Sequence, residues 1–487
     1  MHIAPAFFKG RDDLHGKAQK RYIFIAVSVL IPLLCVYYVD SDSNIRQGMN
    51  VFEALFSGRF FEFYRINEEM HQSGQLYDTA NYSILVQLMM GIWQLPLYLI
   101  EKLTGGNVLD HFAARVWGKS MLLPVFAWSG VLVKRLAGLL GFSDEQKETA
   151  VFLYLTNALT TLSAFLAGQI DLLGLCFTML AMCFLLEKKK IPFLIAFAVA
   201  AQFKSFAYLV FLPVLLLREK NLFKLAGTMA VPVVFGYLIE LPFKIADPVG
   251  AASRKPRLWM MLDFLTRSRV NLVGGIEIPL VFLVLGSFCM IAYFSKTEDE
   301  RETDRKSICL AIPGMLSVLL CTKSNVYWSV WLVPFYTLLL VGRKEKQTIR
   351  LVLETAAVMS LTVAYMVLAA PMFGRYDGML PDLLLHGALP DPMLSERFAE
   401  YVSQEKYFGF WTLSFAAFIV WAAGFMIVHR KGAEQITTFG ETALKETPWI
   451  AGDTRVMNGL LLARAVGMYL LCDVFILATL LSAFFRL

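Results

Sequence analysis

Two carboxylates stand directly behind the first long apolar stretch of the chain: Asp40 and Asp42, in Val39-Asp-Ser-Asp-Ser43. A single acid at such a place would serve as a polar cap where a span leaves the bilayer. Two acids two residues apart also suit a general base beside a sugar-hydroxyl or metal ligand, and such a pair would accept a divalent cation, Mg or Mn. Further on, Gln169 and Asp171 sit in Gly168-Gln-Ile-Asp171, between apolar blocks that leave almost no room for a loop. Asp171 fits a helix cap there, and either side chain could equally hydrogen-bond a sugar or a carboxylate partner. Lys204 stands between the apolar runs Ile191–Phe203 and Ser205–Leu217. As helix each run rises only about 20 Å, less than the hydrocarbon core. A lysine at that turn should face water or an anion, because an unpaired charge at depth is costly.

Cations gather again in Ala246–Gly275, where Arg254, Lys255, Arg257, Arg267 and Arg269 outnumber Asp247 and Asp263. They are either surface charge or partners for phosphate or pyrophosphate, which the guanidinium fork matches bidentately. Trp259, Met260, Met261, Phe264 and Leu265 interleave with them, as in a segment lying at a lipid interface. A last group is Lys323-Ser-Asn-Val-Tyr-Trp-Ser-Val-Trp331. Tyr327, Trp328 and Trp331 there have the composition of interfacial aromatic anchors, and Lys323 adds a cation beside them.

The elements that must position these groups are apolar. The chain of 487 residues is 57% hydrophobic and 17% charged, against about 25% charged in soluble domains. Apolar blocks of spanning length recur along it, so an all-α polytopic membrane protein is expected. The block Tyr22–Val39 follows Lys17, Lys20 and Arg21 and lacks a small-residue cleavage site, which makes it an uncleaved first span. The net charge of +6 lies mostly in short loops and is not a nucleic-acid signature. The seven cysteines fall in or at the ends of apolar blocks without a CxxC pair, as packing residues do.

Basic loops should face the cytoplasm: Lys9–Arg21, Lys134–Lys147, Glu187–Lys190, Arg218–Lys224, Lys296–Lys306, Arg343–Arg350 and His429–Lys445. Placing them on one side gives thirteen spans, near 22–39, 117–137, 149–168, 171–187, 191–203, 205–217, 226–244, 276–294, 307–322, 327–342, 351–370, 408–428 and 463–485. The N-terminus is then cytoplasmic, and Asp40, Asp42, Asp171, Lys204, the arginine cluster and Lys323 share the external face. The block Asn81–Ile100 would break the charge rule as a span, so it is expected to lie on or dip into that face. No Walker loop, GxGxxG, HExxH or GxSxG occurs, and Gly118-Lys-Ser120 lacks the upstream glycine of a phosphate loop. A soluble nucleotide substrate is therefore disfavoured, and the reactant should arrive through the membrane.

In this order the residues resemble the GT-C glycosyltransferases, and among them the mannosyltransferases of glycosylphosphatidylinositol assembly and their bacterial relatives. The likeness starts with the acidic pair after the first span and a long external loop leading to Tyr77-Asp-Thr-Ala-Asn-Tyr82. Gly168-Gln-Ile-Asp171 is similar to the family's GQ-x-D. Phe203-Lys-Ser-Phe-Ala-Tyr-Leu-Val-Phe-Leu-Pro213 is similar to its K-x-x-A…LP segment, and Asn325-Val-Tyr-Trp-Ser-Val-Trp-Leu-Val-Pro334 to its Q-Y-x-x-W-x-x-P turn. The family's YPPL is here Tyr82-Ser-Ile-Leu85, without either proline, so the acceptor class is left open.

The resemblance touches residues 38–336 and fades beyond. It implies a GT-C module over residues 1–342, with an external loop 40–116 that carries interfacial helices and the catalytic aspartate, followed by further C-terminal spans over 343–487. It also implies an inverting transfer of a hexose, mannose among the candidates, from a polyprenyl-phosphate carrier to a lipid- or glycan-linked acceptor hydroxyl. The setting would be the outer face of the plasma (inner) membrane, in assembly of a surface polysaccharide, glycolipid or glycan. Asp40 would be the base, with Asp42 second. Lys204, Arg254, Arg257, Arg267, Arg269 and Lys323 would face the carrier phosphate. Tyr77, Asp78, Tyr82, Gln169, Asp171, Tyr327 and Trp328 would line the substrates. A lipid-pyrophosphate ligase or polymerase would depend instead on external arginines or His386. A flippase for lipid-linked sugars would call for internal repeats and central charges; no repeat is seen, and the intramembrane acids are Glu240, Glu354 and Asp473.

Overall fold

The computed structural model describes residues 4–36, 39–252, 257–271, 277–322, 325–342, 347–369, 400–401, 404–432 and 454–484. Helices α1 (Ala4–Cys35) and α2 (Val39–Phe56) follow one another almost directly, and a 3-10 turn leads into α3 (Phe63–Gln72). Next come α4 (Ile84–Thr104), α5 (Phe112–Ser120), α6 (Leu122–Leu139), α7 (Asp144–Leu155) and α8 (Ala158–Thr161), the last continuing as a π-helical turn, Leu162–Leu166. The central helices are α9 (Asp171–Leu186), α10 (Lys190–Phe203), α11 (Phe206–Arg218) and α12 (Leu222–Ala246). Short α13 (Pro248–Ala252) and α14 (Arg257–Thr266) precede an antiparallel hairpin, β1 (Arg269–Asn271) and β2 (Glu277–Pro279). The chain then runs through α15 (Leu280–Phe294), α16 (Glu300–Cys321), a 3-10 turn Val326–Trp331, α17 (Val333–Gly342), α18 (Gln347–Ala369), α19 (Glu405–Gly432) and α20 (Thr454–Phe484).

Among the described residues five helical stretches are long and apolar enough to cross a membrane: Ala18–Cys35, Ile84–Thr104, Phe112–Leu139, Leu222–Ala246 and Val456–Val474. This is a helical membrane protein. The expected span 149–168 is not one straight rod: Asp144–Leu155 and Ala158–Leu166 meet at a 53° bend. At the break Asn157 is extended and its side chain accepts from Leu159 N, so it ends one helix and caps the next. The expected short runs on either side of Lys204 are separate helices because Lys204 itself adopts β geometry, φ −151° and ψ 132°. The short hairpin leaves the architecture all-helical in character: β1 lies in the segment expected at the interface, and β2 at the start of the expected span 276–294. Asp40 and Asp42 occupy the first turn of α2, so the expected external segment 40–116 is helical from its start.

Two charges inside this apolar frame are satisfied by backbone. Lys119, 4% exposed, donates from its ammonium to the carbonyls of Pro32, Leu33 and Val36 at the end of α1. Glu240 on α12 accepts from Tyr64 Oη at 3.0 Å and from Ile84 N at 3.1 Å, so it satisfies the first N–H of α4. Helices α2 and α4 approach closely through glycine: a Cβ on Gly91 would lie 2.9 Å from the Gly48 carbonyl oxygen. Most of the segment expected on the outer face, 81–100, belongs to one continuous helix of span length, Ile84–Thr104, whose buried Gln87 and Gln94 turn toward protein. Gln87 Nε2 donates to Gln47 Oε1 at 3.1 Å, and Gln94 Nε2 to Gly118 O at 3.2 Å.

A second ionic centre ties the late helices to the break between α7 and α8. Arg464 on α20 forks onto Glu354 of α18 at 2.8 and 2.6 Å. It also donates to Leu153 O and Thr156 Oγ1, backbone and side chain at the break. Asn157 donates to Glu354 Oε1 at 3.0 Å and to Tyr336 Oη at 2.6 Å. Arg464 is 2% exposed and Glu354 0%, so removing one charge strands the other. Arg464→Met should destabilise the protein by about 3–5 kcal/mol. Thermal unfolding in detergent checks this, and adding Glu354→Gln should recover most of the loss.

Candidate functional site

The turn Gly168-Gln-Ile-Asp171 organises the site from below. Gly168 has φ +57°, a left-handed conformation that glycine takes without cost. Its missing side chain matters too, because a Cβ there would lie 2.5 Å from Ser41 Oγ. The turn is thereby pressed against the first residues of α2. Gln169 Nε2 donates to Asp40 Oδ2 at 3.3 Å. On the other side Asp171 opens α9 and accepts from Lys204 Nζ at 3.0 Å and from Trp331 Nε1 at 3.3 Å. The Asp171 side chain is wholly buried, while that of Lys204 keeps 19% exposure. The carboxylate is thus satisfied by a cation, an indole N–H and the positive end of a helix. Gly174, one turn further along α9, leaves room for the Trp331 ring and for Phe203, whose Cβ would sit 2.8 Å from an added Cβ.

Lys204 lies over two aromatic faces, Trp328 at 4.8 Å and Phe206 at 5.4 Å from the ring centroids. Phe206 and Phe264 both pack edge-on against Trp328, at 5.0 and 5.4 Å. These rings hold the ammonium in place. Above the turn is a cavity of about 520 Å³, within the range of small-molecule sites, about 300–1,000 Å³. Asp40, Asp78, Tyr82, Gln169, Lys204, Arg267, Tyr327 and Trp328 line it, so the structure brings together most of the residues singled out in the sequence.

Others are placed elsewhere. Asp42 is turned to Arg115 of α5, at 3.3 Å. Tyr77 is 64% exposed, and only its backbone N–H enters the region, donating to Ser43 Oγ at 3.1 Å. Asp171 lies beneath the cavity floor as the support of Lys204. Arg269 pairs with Glu277 across the hairpin at 2.9 Å. Arg267 lines the cavity but pairs with Asp263 at 2.9 Å. Tyr327 and Trp331, with 6% and 0% exposure, are inside the protein and not in a lipid-facing belt. Arg254, Lys323 and His386 lie outside the described residues, as does the side chain of Arg257.

Sequence reading missed Ser43, Asn44, Gln47, Thr79 and Asn81, which also line the cavity. A signal was present: Asp40, Ser43, Asn44 and Gln47 are spaced as one face of a helix, legible once α2 is taken as helical from its first residue. Among the described residues no group of three or more His, Cys, Asp or Glu side chains is arranged as a metal site. No protein-family model, no characterised protein and no solved structure matches the chain.

The turn carries a testable strain argument. Gly168→Ala should cost about 1–3 kcal/mol, from the left-handed backbone and the contact with Ser41. The melting temperature reads the loss, and Ser41→Gly in the same chain should return the steric part alone.

Proposed function

We propose that the protein is an inverting glycosyltransferase of the GT-C type, drawing its sugar from a polyprenyl-phosphate carrier. Asp40 is the general base and Lys204 the partner of the departing phosphate. The observation that carries this reading is the Gly168–Asp171 turn, which holds Asp40 through Gln169 and Lys204 through Asp171 at one cavity. An inverting transfer needs both groups at once: a base for the attacking hydroxyl and a cation where negative charge develops.

The chemistry is one displacement. The acceptor hydroxyl gives its proton to the Asp40 carboxylate as its oxygen bonds to the anomeric carbon. The bond from that carbon to the carrier phosphate breaks, and its electron pair stays on the phosphate oxygen. The Lys204 ammonium, a preorganised cation in a poorly hydrated setting, stabilises that oxygen more in the transition state than in the ester. Met260, Met261 and Phe264 line the same cavity and suit the first apolar units of a polyprenyl chain. Between the two aspartates, Asp40 is the better base because it lines the cavity, whereas Asp42 is engaged with Arg115.

The charge pattern of the loops supports about thirteen spans, a cytoplasmic N-terminus and a cavity opening on the outer face of a plasma (inner) membrane. The product is then a surface polysaccharide, glycolipid or glycan. Cysteine placed at Ser73 should react with an impermeant maleimide in intact cells, and cysteine at Glu298 only after permeabilisation. The opposite labelling would put the cavity on the wrong side for this reading.

Asp40→Asn should lower transfer from purified polyprenyl-phosphate sugars by about 100- to 10,000-fold, the worth of a positioned base. Asp42→Asn should change it far less. Undiminished turnover in Asp40→Asn, with loss in Arg267→Ala, would favour a ligase using lipid pyrophosphate. Carrier that crosses the bilayer of proteoliposomes without releasing its phosphate would identify a flippase instead.

A further inference from the structure

The cavity has two walls of different chemistry, each internally connected. One consists of Phe203, Lys204, Phe206, Phe264, Arg267 and Trp328, joined through the ring contacts around Trp328. Among the described lining residues the positive side chains, Lys204 and Arg267, both belong to this wall, where Asp263 pairs with Arg267 at 2.9 Å. The other is α2 with the segment 78–82. It is held together by Gln47 Nε2 donating to Asp78 O at 3.0 Å and by the Tyr77 N–H donating to Ser43 Oγ. Its lining groups are hydroxyls, amides and carboxylates: Asp40, Ser43, Asn44, Gln47, Asp78 and Asn81.

Most of these are committed to shaping the wall. Gln47 is fixed at both ends of its amide, by Asp78 O and by Gln87. Asn81 Nδ2 donates to Asp78 Oδ1 and Oδ2 at 3.3 and 3.2 Å. Asn44 differs. It is half-buried, one helical turn from Asp40 on the same face of α2, and among the described residues no hydrogen bond engages its side chain. A carboxamide can donate and accept together, which is what a vicinal diol asks of a protein. With Asp40 and Asp78 beside it the wall is negative, so it would repel a phosphate or uronate brought to it.

We infer that the α2 wall binds the hydroxyls of an uncharged carbohydrate, with Asn44 reading the acceptor ring that presents its nucleophilic hydroxyl to Asp40. This deepens the transferase reading and rests on it only for the direction of transfer. The acceptor is then the neutral end of a glycan, and an anionic headgroup such as inositol phosphate is excluded from this wall.

The test uses the full-length protein in nanodiscs, applied to an array of neutral and acidic oligosaccharides that also carries inositol 1-phosphate. Binding of undecaprenyl phosphate is followed in parallel by tryptophan fluorescence, since Trp328 lines the other wall. Neutral glycans should be retained, and Asn44→Ala should weaken the same spots about ten-fold, the worth of one lost hydrogen-bonding partner. No hydrogen bond among the described residues engages the Asn44 side chain, so this variant should melt with the wild type. Retention of acidic glycans or inositol 1-phosphate alone, no retention at all, or unchanged binding by Asn44→Ala would overturn the inference. Neutral glycans bound by a protein that ignores undecaprenyl phosphate would uphold the subsite while sinking the transferase reading.

Discussion

The pairing of Asp171 with Lys204 is the constraint on which the site depends. Neither charge would be stable alone at a position so enclosed, because an isolated buried ion loses far more hydration than packing returns. Together they fix three helix ends: the start of α9 at the carboxylate, and the break between α10 and α11 at the lysine. Lys204 reaches Asp171 from an extended backbone that belongs to neither helix. Once α9 starts there, Gln169 and Gly168 must lie against the first turn of α2, and Asp40 inherits its position.

Much of this was legible because charges are rare in an apolar chain. Lys204 between two runs too short to span, and Asp171 between blocks without a loop, could hardly be structural accidents. What the sequence concealed was pairing. Lys204 and Asp171 are separated by two whole helices, α9 and α10, and nothing in their neighbourhoods says that they meet. Glu354 was visible as an intramembrane acid, yet its partner Arg464 lies in the far C-terminal helix. The α2 stripe was missed for a different reason: a polar stretch after a span reads as loop, although Asp40, Asn44 and Gln47 have helical spacing. Asn157 breaks a span that hydropathy draws as continuous, because hydropathy averages over the one residue that caps the second half.

The two buried ionic centres divide the labour of the fold. The one at Arg464 is sealed on all sides and joins α18 and α20 to the α7–α8 break, where broken backbone needs donors. The one at Lys204 is sealed on the Asp171 side only. The Lys204 side chain keeps 19% exposure and lines the cavity, whereas Arg464 and Glu354 are enclosed. The aromatic cluster of Phe206, Phe264 and Trp328 makes that exposure tolerable by supplying polarisable faces in place of water.

Lys119 bears on a different problem, the mechanical one. A span normally ends where the headgroups begin, and its last carbonyls are solvated by whatever lies there. Here the end of α1 is solvated by an ammonium from α5. The boundary between α1 and α2 is therefore written in protein and not in lipid. When the bilayer thins or thickens and spans tilt to follow it, α1 and α5 must move as one body. The helix bearing Asp40 then keeps its starting point across membranes of different thickness.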